Sequence, residues 1–460
     1  MFARPLFAPT APGAPTQRPR AWRRAAPRLA APARWPVTAA LLAGCCLMLP
    51  ARALSALGAD PCARPATGGE LGLMQALRLA NELQPELSAA TARVAWRAAE
   101  LAQADAAWWP ELSSPVVVEH VHTDTAQTDA ARGGLELRWT LFDGGARAAR
   151  RRAAAAEWRG ARDALAALQQ QIYARIAARY VGAVEARAAV DERVRSVRRH
   201  RRSLEAAERR ARAGLAAHSD SLQAQAALAR ARLLLARDEG AAHVAEVELG
   251  QAVGLPAQQT PRLAPATAQT DSGGLAQLDE WLALARAREP TIAAARERRR
   301  ALKADVDAAR ACGAANVDLA LGHQHDTTRG IHSASLQLRV PLYDGGRCAQ
   351  QLAAARARHD EARAQLRQAV HGALGGVAAA HARATEAGAQ CGAAHDWRAA
   401  ARAALRSARR RYGAGLADIA ELLAAQAEVD EAAQAGLRAR TQWRSAELAL
   451  LAAAGVLRAD

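Results

Sequence analysis

The sequence predicts a mainly α-helical chain with a small β part, built from two tandem copies of one unit. Three observations predict it. First, Leu135-Glu-Leu-Arg-Trp-Thr-Leu-Phe-Asp-Gly-Gly145 returns as Leu336-Gln-Leu-Arg-Val-Pro-Leu-Tyr-Asp-Gly-Gly346, which places Asp143 and Asp344 201 residues apart. The same spacing pairs Gly214 with Gly415, Leu215 with Leu416, Asp220 with Glu421 and Gly254 with Gly455. Such self-similarity at a fixed period is the mark of a repeated structural unit. Upstream the spacing is 205, pairing Pro85 with Pro290 and Leu112 with Val317, so the second copy is four residues shorter between Leu112 and Leu135. Second, Ala146 to Ala213 contains no proline and only two glycines, Gly160 and Gly182. Third, the composition is rich in the helix formers Ala, Leu, Arg and Glu, with aromatics at only 4%.

Taken in order, residues 1–53 read as a secretory signal peptide. Arg20 to Arg34 are basic, Val37 to Leu49 are apolar, and Ala51-Arg52-Ala53 fits a small-x-small cleavage site. The apolar run falls short of the ~20 residues of a spanning helix. Leu42-Ala43-Gly44-Cys45 also fits a lipoprotein box, which would leave Cys45 lipidated. Four of the six cysteines follow Ala53: Cys62, Cys312, Cys348 and Cys391. Without CxxC spacing they allow one disulfide in an oxidising compartment and offer no metal site.

The first repeat covers 54–255, a Pro-, Gln-, Thr- and Gly-rich connection covers 256–274, and the second repeat covers 275–460. Each repeat opens with a helix, Leu71 to Trp108 and Leu275 to Cys312. A strand hairpin follows in each: Val116 to Thr123 with Leu135 to Leu141, and Val317 to His325 with Leu336 to Leu342. Alternation of apolar and polar residues in the second strand of each hairpin gives it one apolar face. Polar loops are expected at 125–133 and 327–331. The strands, about 8–10 residues long, suit a tilted bilayer crossing. Beyond Asp143-Gly144-Gly145 and Asp344-Gly345-Gly346 come rods, the first some 68 residues and therefore roughly 100 Å long. They require coiled-coil packing, with alanines allowing close approach. The first breaks at Gly214 and the second at Gly413 and Gly415, and helices from Asp220 to Ala252 and on to Ala454 return. Open strand edges cannot sit in lipid, so a chain with four such strands needs further copies to close a barrel.

The net charge of +17 includes eight arginines and no acid within residues 1–53, leaving +9 spread over helices that also carry many acids. A nucleic-acid interface would concentrate that charge. No catalytic constellation is present: there is no phosphate loop, no HExxH and no Gly-x-Ser-x-Gly, so an enzyme is excluded and no cofactor is implied. His120, His122, His323 and His325 form two His-x-His pairs, each on one strand face; they read either as a metal or proton site or as lumen and loop histidines without a ligand.

The paired Leu-Phe/Tyr-Asp-Gly-Gly motifs, and the breaks at Arg212-Ala-Gly-Leu215 and Arg411-Tyr-Gly-Ala-Gly-Leu416, resemble the TolC-like outer-membrane efflux and type I secretion channels over nearly all of residues 70–457. The resemblance implies a homotrimer whose protomers each lend four strands to a twelve-stranded barrel in outer-membrane lipid. Below it, a helical tunnel would cross the periplasm and dock on a periplasmic adaptor and an inner-membrane ABC exporter or other pump. Its cargo would be an unfolded protein such as a toxin or, alternatively, small toxic compounds. A pore-less coiled-coil scaffold is the remaining reading. Asp143, Gly144, Gly145, Pro341, Asp344, Gly345 and Gly346 would then form the barrel–tunnel joints. Gly214, Leu215, Gly415 and Leu416 would form the tip turns that meet the adaptor, and Asp220 and Glu421 the acidic entrance gate. A second acidic gate position falls on Ala424, and a basic partner position on Ala417, so both are absent here.

Overall fold

A computed structural model describes residues 70–123, 126–264, 276–326 and 329–457. The expected leader at 1–53 lies outside them, as do residues 54–69 and most of the 256–274 connection.

The single opening helix expected in each repeat is two helices. α1 (Leu73–Leu83) is followed by α2 (Pro85–Ala106), a break that returns later as α5 (Leu278–Arg288) and α6 (Pro290–Arg310). Gln84 and Glu289 are extended, at φ −76°, ψ 116° and φ −67°, ψ 116°. The cause is the proline after each: its ring forces the preceding residue out of the helical region, while its fixed φ starts the next helix at N1.

The rods match expectation closely. α3 spans Ala146–Arg212 and α7 spans Arg347–Gly413, 67 residues each, with return helices α4 (His218–Val253) and α8 (Ile419–Ala453). Gly413 does not break its rod but ends it as the last helical residue. α3 packs on α4, α6 and α8, and α7 packs on α8, α6 and α5. Ala149, Ala153, Ala156 and Ala207 line the buried stripe of α3, so backbones approach closely. Bulk is confined to knots. Leu77, Ile172, Ile176, Leu249 and Val253 join α1 to α3 and α4, each burial contributing roughly 1.5–3 kcal/mol. One interior stretch between α3 and α8 is polar. Ser196 donates to Asp430 at 2.5 Å, Arg199 pairs with Asp430, the His200 ring nitrogen lies 3.2 Å from it, and Gln426 donates to Ser203 at 2.6 Å. Burial works against charge on Asp430, yet the hydrogen bonds from His200, Ser196 and Arg199 outweigh it and hold the carboxyl below its ordinary value.

The β part is one antiparallel sheet. β1 (Glu111–Ser113) and β2 (Val116–Thr123) both pair with β3 (Ala126–Phe142), which pairs with β4 (Asn316–Asp326), itself paired with β5 (Gly330–Arg339). β1 and β2 act as one strand interrupted at Ser114-Pro115, so the described residues supply four strands. The loop expected at 125–133 is corrected. β3 begins at Ala126 and runs 17 residues, because its polar first half pairs with β2 from Ala126 to Gly133. Pairing across the ladder decides a strand there despite the absence of an apolar pattern. The second repeat differs at the other end. β5 stops at Arg339, before Pro341, which has no N–H to give a ladder. Where Thr140 stands at the equivalent position, β3 continues to Phe142.

Candidate functional site: joints, tips and sheet rim

At each joint the chain turns from strand to rod on two left-handed glycines, Gly144 (φ 65°) and Gly145 (φ 87°), and again Gly345 (φ 67°) and Gly346 (φ 84°). Space reinforces the requirement at Gly144, where an added Cβ would lie 2.2 Å from the Ala314 methyl. The preceding aspartates cap the rods. Asp143 accepts from the Gly145 N–H at 3.2 Å and the Arg147 N–H at 2.7 Å. Asp344 accepts from the Gly346 N–H at 2.9 Å and the Cys348 N–H at 2.8 Å. The Cys348 N–H, with that of Gly346 and the nearby Arg347 charge, holds the Asp344 carboxyl below its ordinary value. Pro341 lies two residues past β5, inside the exposed segment leading to this cap.

Two cross-ties went unread in the sequence. In the first joint the buried Arg147 guanidinium donates to the carbonyls of Ala107 (3.2 Å) and Leu141 (3.3 Å), pairs with Asp143 at 3.4 Å, and lies 4.7 Å over the Trp108 ring. In the second, Cys312 and Cys348 form a disulfide. The sequence allowed one disulfide but named no partners, because pairing depends on proximity in the fold. The Asp344 carboxylate lies within 4.8 Å of both sulfurs, yet these are bonded to each other, so no thiolate pair is offered to a metal.

At the tips, Gly214 (φ 71°) and Gly415 (φ 74°) stand two residues past the ends of α3 and α7. The N–H of Leu215 returns to the Arg210 carbonyl at 2.9 Å and that of Leu416 to the Arg411 carbonyl at 2.8 Å. These six-to-one bonds satisfy carbonyls at the helix end. They leave Leu215 and Leu416 69% and 72% exposed, large apolar side chains that the turns present to solvent. Asp220 and Glu421 sit in the first turns of α4 and α8 and line one cleft with Arg210 and Tyr412. Their surroundings differ. Glu421 pairs with Arg411 at 2.5 Å on its own turn, whereas Arg210, the counterpart of Arg411, crosses to the Tyr412 carbonyl at 2.8 Å and stacks 5.0 Å from its ring. These arginines, not the residue at Ala417, supply cations here.

The sheet keeps its apolar face across three strands: Leu137 stands opposite Leu321, Trp139 opposite Leu319, and Leu319 opposite Leu336. Aromatic residues gather at the helix end, where the Trp139 indole donates to the Trp108 carbonyl at 3.0 Å and Phe142 and Tyr343 are exposed. His323 and His325 continue the apolar face of β4 toward its far end. His120 and His122 stand opposite Asp129 and Gln127 in the β2–β3 register.

Residues 76–255 and 281–456, the two repeats in turn, match the family described as outer membrane efflux protein. The chain belongs to this family. Protein CyaE of Bordetella pertussis is 39% identical over 412 residues, spanning 86% of this chain and 87% of CyaE. Two solved structures share the fold. VceC, an outer membrane protein of Vibrio cholerae, is 22% identical with a TM-score of 0.72, covering 83% of this chain and 96% of its own. MtrE, an outer membrane channel of Neisseria gonorrhoeae seen in its open state, is 19% identical with a TM-score of 0.73, covering 83% and 88%. The family is one of outer-membrane channels and is not a class of enzymes. Among the described residues no helix is long and apolar enough to cross a membrane.

Proposed function

We propose that the chain is a passive exit duct in the outer membrane, assembled as a homotrimer and coupled to a periplasmic adaptor and an inner-membrane ABC exporter for type I secretion of an unfolded protein. The observation that carries this reading is the open sheet. β5 is exposed along its whole length, and among the described residues it and β1–β2 each pair on one side only. A sheet apolar on one face with two free edges cannot rest in lipid until copies join edge to edge. A scaffold without a pore has no use for such a sheet at the head of both rods.

In this reading Gly214-Leu215 and Gly415-Leu416 dock the adaptor through their exposed leucines. Asp220 and Glu421 from three chains ring the entrance, where crowded carboxylates favour cations. The Asp-Gly-Gly joints hold barrel to tunnel.

Single-channel conductance in planar bilayers tests it, comparing the parent with Asp220→Ala/Glu421→Ala. Cation-selective pores that widen in the variant are the expected result. Unchanged pores would remove the gate role from these two residues, and absence of any pore from a folded trimer would overturn the duct. Retention of one polypeptide inside cells lacking the chain supports protein export; sensitivity to small toxic compounds alone moves the cargo to small molecules.

A further inference from the structure

We propose that His323 and His332, with His325 beside them, form a binding site for a divalent transition-metal ion at the outer rim of the sheet. His323 and His332 are direct partners in the β4–β5 register, so their side chains leave the same face. Their rings stack with centroids 4.4 Å apart and 30° between planes, and their Nδ1 atoms approach to 3.2 Å. Two imidazole nitrogens bound to one tetrahedral ion at about 2.0–2.1 Å stand about 3.3 Å apart, so the spacing suits a ligand pair once the exposed rings turn out of their stack to aim both lone pairs at one ion. In the free protein the Nδ1–H of one ring donates to the Nδ1 of the other, a hydrogen bond that the ion would replace.

His325 follows two residues after His323 and so emerges on the same face. Its register partner is Gly330, which leaves open ground between the rings. A Cβ at Gly330 would lie 3.6 Å from the His323 Cε1 and 3.8 Å from the His325 Nδ1. Both rings thus border one bare patch of sheet, and all three histidines are exposed in the single chain. Water completes the coordination. An all-imidazole set selects Zn²⁺, Cu²⁺ or Ni²⁺ over the oxygen-seeking Ca²⁺ and Mg²⁺. Seven residues separate His323 from Asn316 at the helix end, about 24 Å along the strand and about 18 Å along the barrel normal at a tilt of ~40°, so the ion would link β4 to β5 on the hairpin side of the sheet.

The test is calorimetric titration of Zn²⁺ into the purified, untagged full-length protein in detergent, repeated with His332→Ala, His332→Asn and His323→Ala/His332→Ala. Heat-modifiable migration checks that each variant is folded. One Zn²⁺ per chain is expected, with affinity falling tenfold or more on loss of either paired ligand. His325→Ala is expected to weaken binding less. Binding of no stoichiometric Zn²⁺ by the parent, or equal affinity in the folded double variant, would overturn the site.

Discussion

The two strand-to-rod joints share a backbone and differ in what locks it. Asp143 and Asp344 cap their rods with the same pair of hydrogen bonds, and each joint turns on two glycines in the left-handed region. Yet Cys348 stands 201 residues after Arg147, and Cys312 stands 205 after Ala107, the very residues that touch in the first joint. A covalent bond in one repeat therefore occupies the place of a guanidinium–carbonyl contact in the other. The comparison teaches that the geometry of this corner is what both copies retain, while the tie between helix end and rod start is open to different chemistry. A polar tie must also find acceptors for its donors: the Ala107 and Leu141 carbonyls accept from the Arg147 guanidinium, Asp143 balances its charge, and Trp108 stacks against it.

The largest expected effect comes from cutting the covalent tie. Cys312→Ser closes no loop in the unfolded chain, and a bridge across 36 residues is worth about 4 kcal/mol in loop-closure entropy. Denaturant unfolding with and without reductant reads it: reduction lowers the parent's midpoint to that of the variant and leaves the variant unmoved. A parent indifferent to reductant would mean that the second joint does not depend on the bond.

The polar tie should weigh somewhat less. Arg147→Ala leaves Asp143 with its backbone donors but without its buried partner, costing about 3 kcal/mol in the same assay. Ala107→Cys/Arg147→Cys sharpens the comparison, since equivalence of the joints requires the new cysteines to oxidise to a bridge. Alkylation that still finds both thiols free would show that the two corners differ in backbone after all. Smallest are the tips: Gly214→Ala and Gly415→Ala each place a Cβ at positive φ, a cost of about 1–2 kcal/mol. An added Cβ meets nothing at Gly214 and the Arg210 guanidinium at 3.5 Å at Gly415, so nearly equal losses are expected by thermal unfolding. A much larger loss at Gly415 would place a second role on the Arg210 contact with Tyr412.

How far the sequence could be read follows from the same contrast. Among the described residues eight left-handed glycines fall into four pairs at the single spacing of 201, and six of them, Gly144, Gly145, Gly214, Gly345, Gly346 and Gly415, were legible as turns because glycine marks a backbone need directly. The rods were legible because nothing within them interrupts a helix. The breaks before Pro85 and Pro290 carried a local signal that the surrounding helical pattern outweighed. The first half of β3 carried none, since Ala126 to Gly133 owes its strand to a neighbour rather than to its own alternation. Arg147, Arg210 and the cysteine pairing stayed hidden for a related reason: each acts on residues brought close only by the fold.

The polar stretch between α3 and α8 has a consequence of its own. Helices faced with alanine are smooth, and smooth cylinders can be displaced along one another with little change in contact. Ser196, His200, Ser203 and Gln426 interrupt that smoothness, all buried, and all matched to a partner at one height only. A slip of one helical turn, about 5.4 Å, would carry Asp430 off Ser196 and His200 and Gln426 off Ser203. The network therefore acts as a key in a keyway. It fixes the axial setting of two long rods that their apolar faces alone leave free to slide.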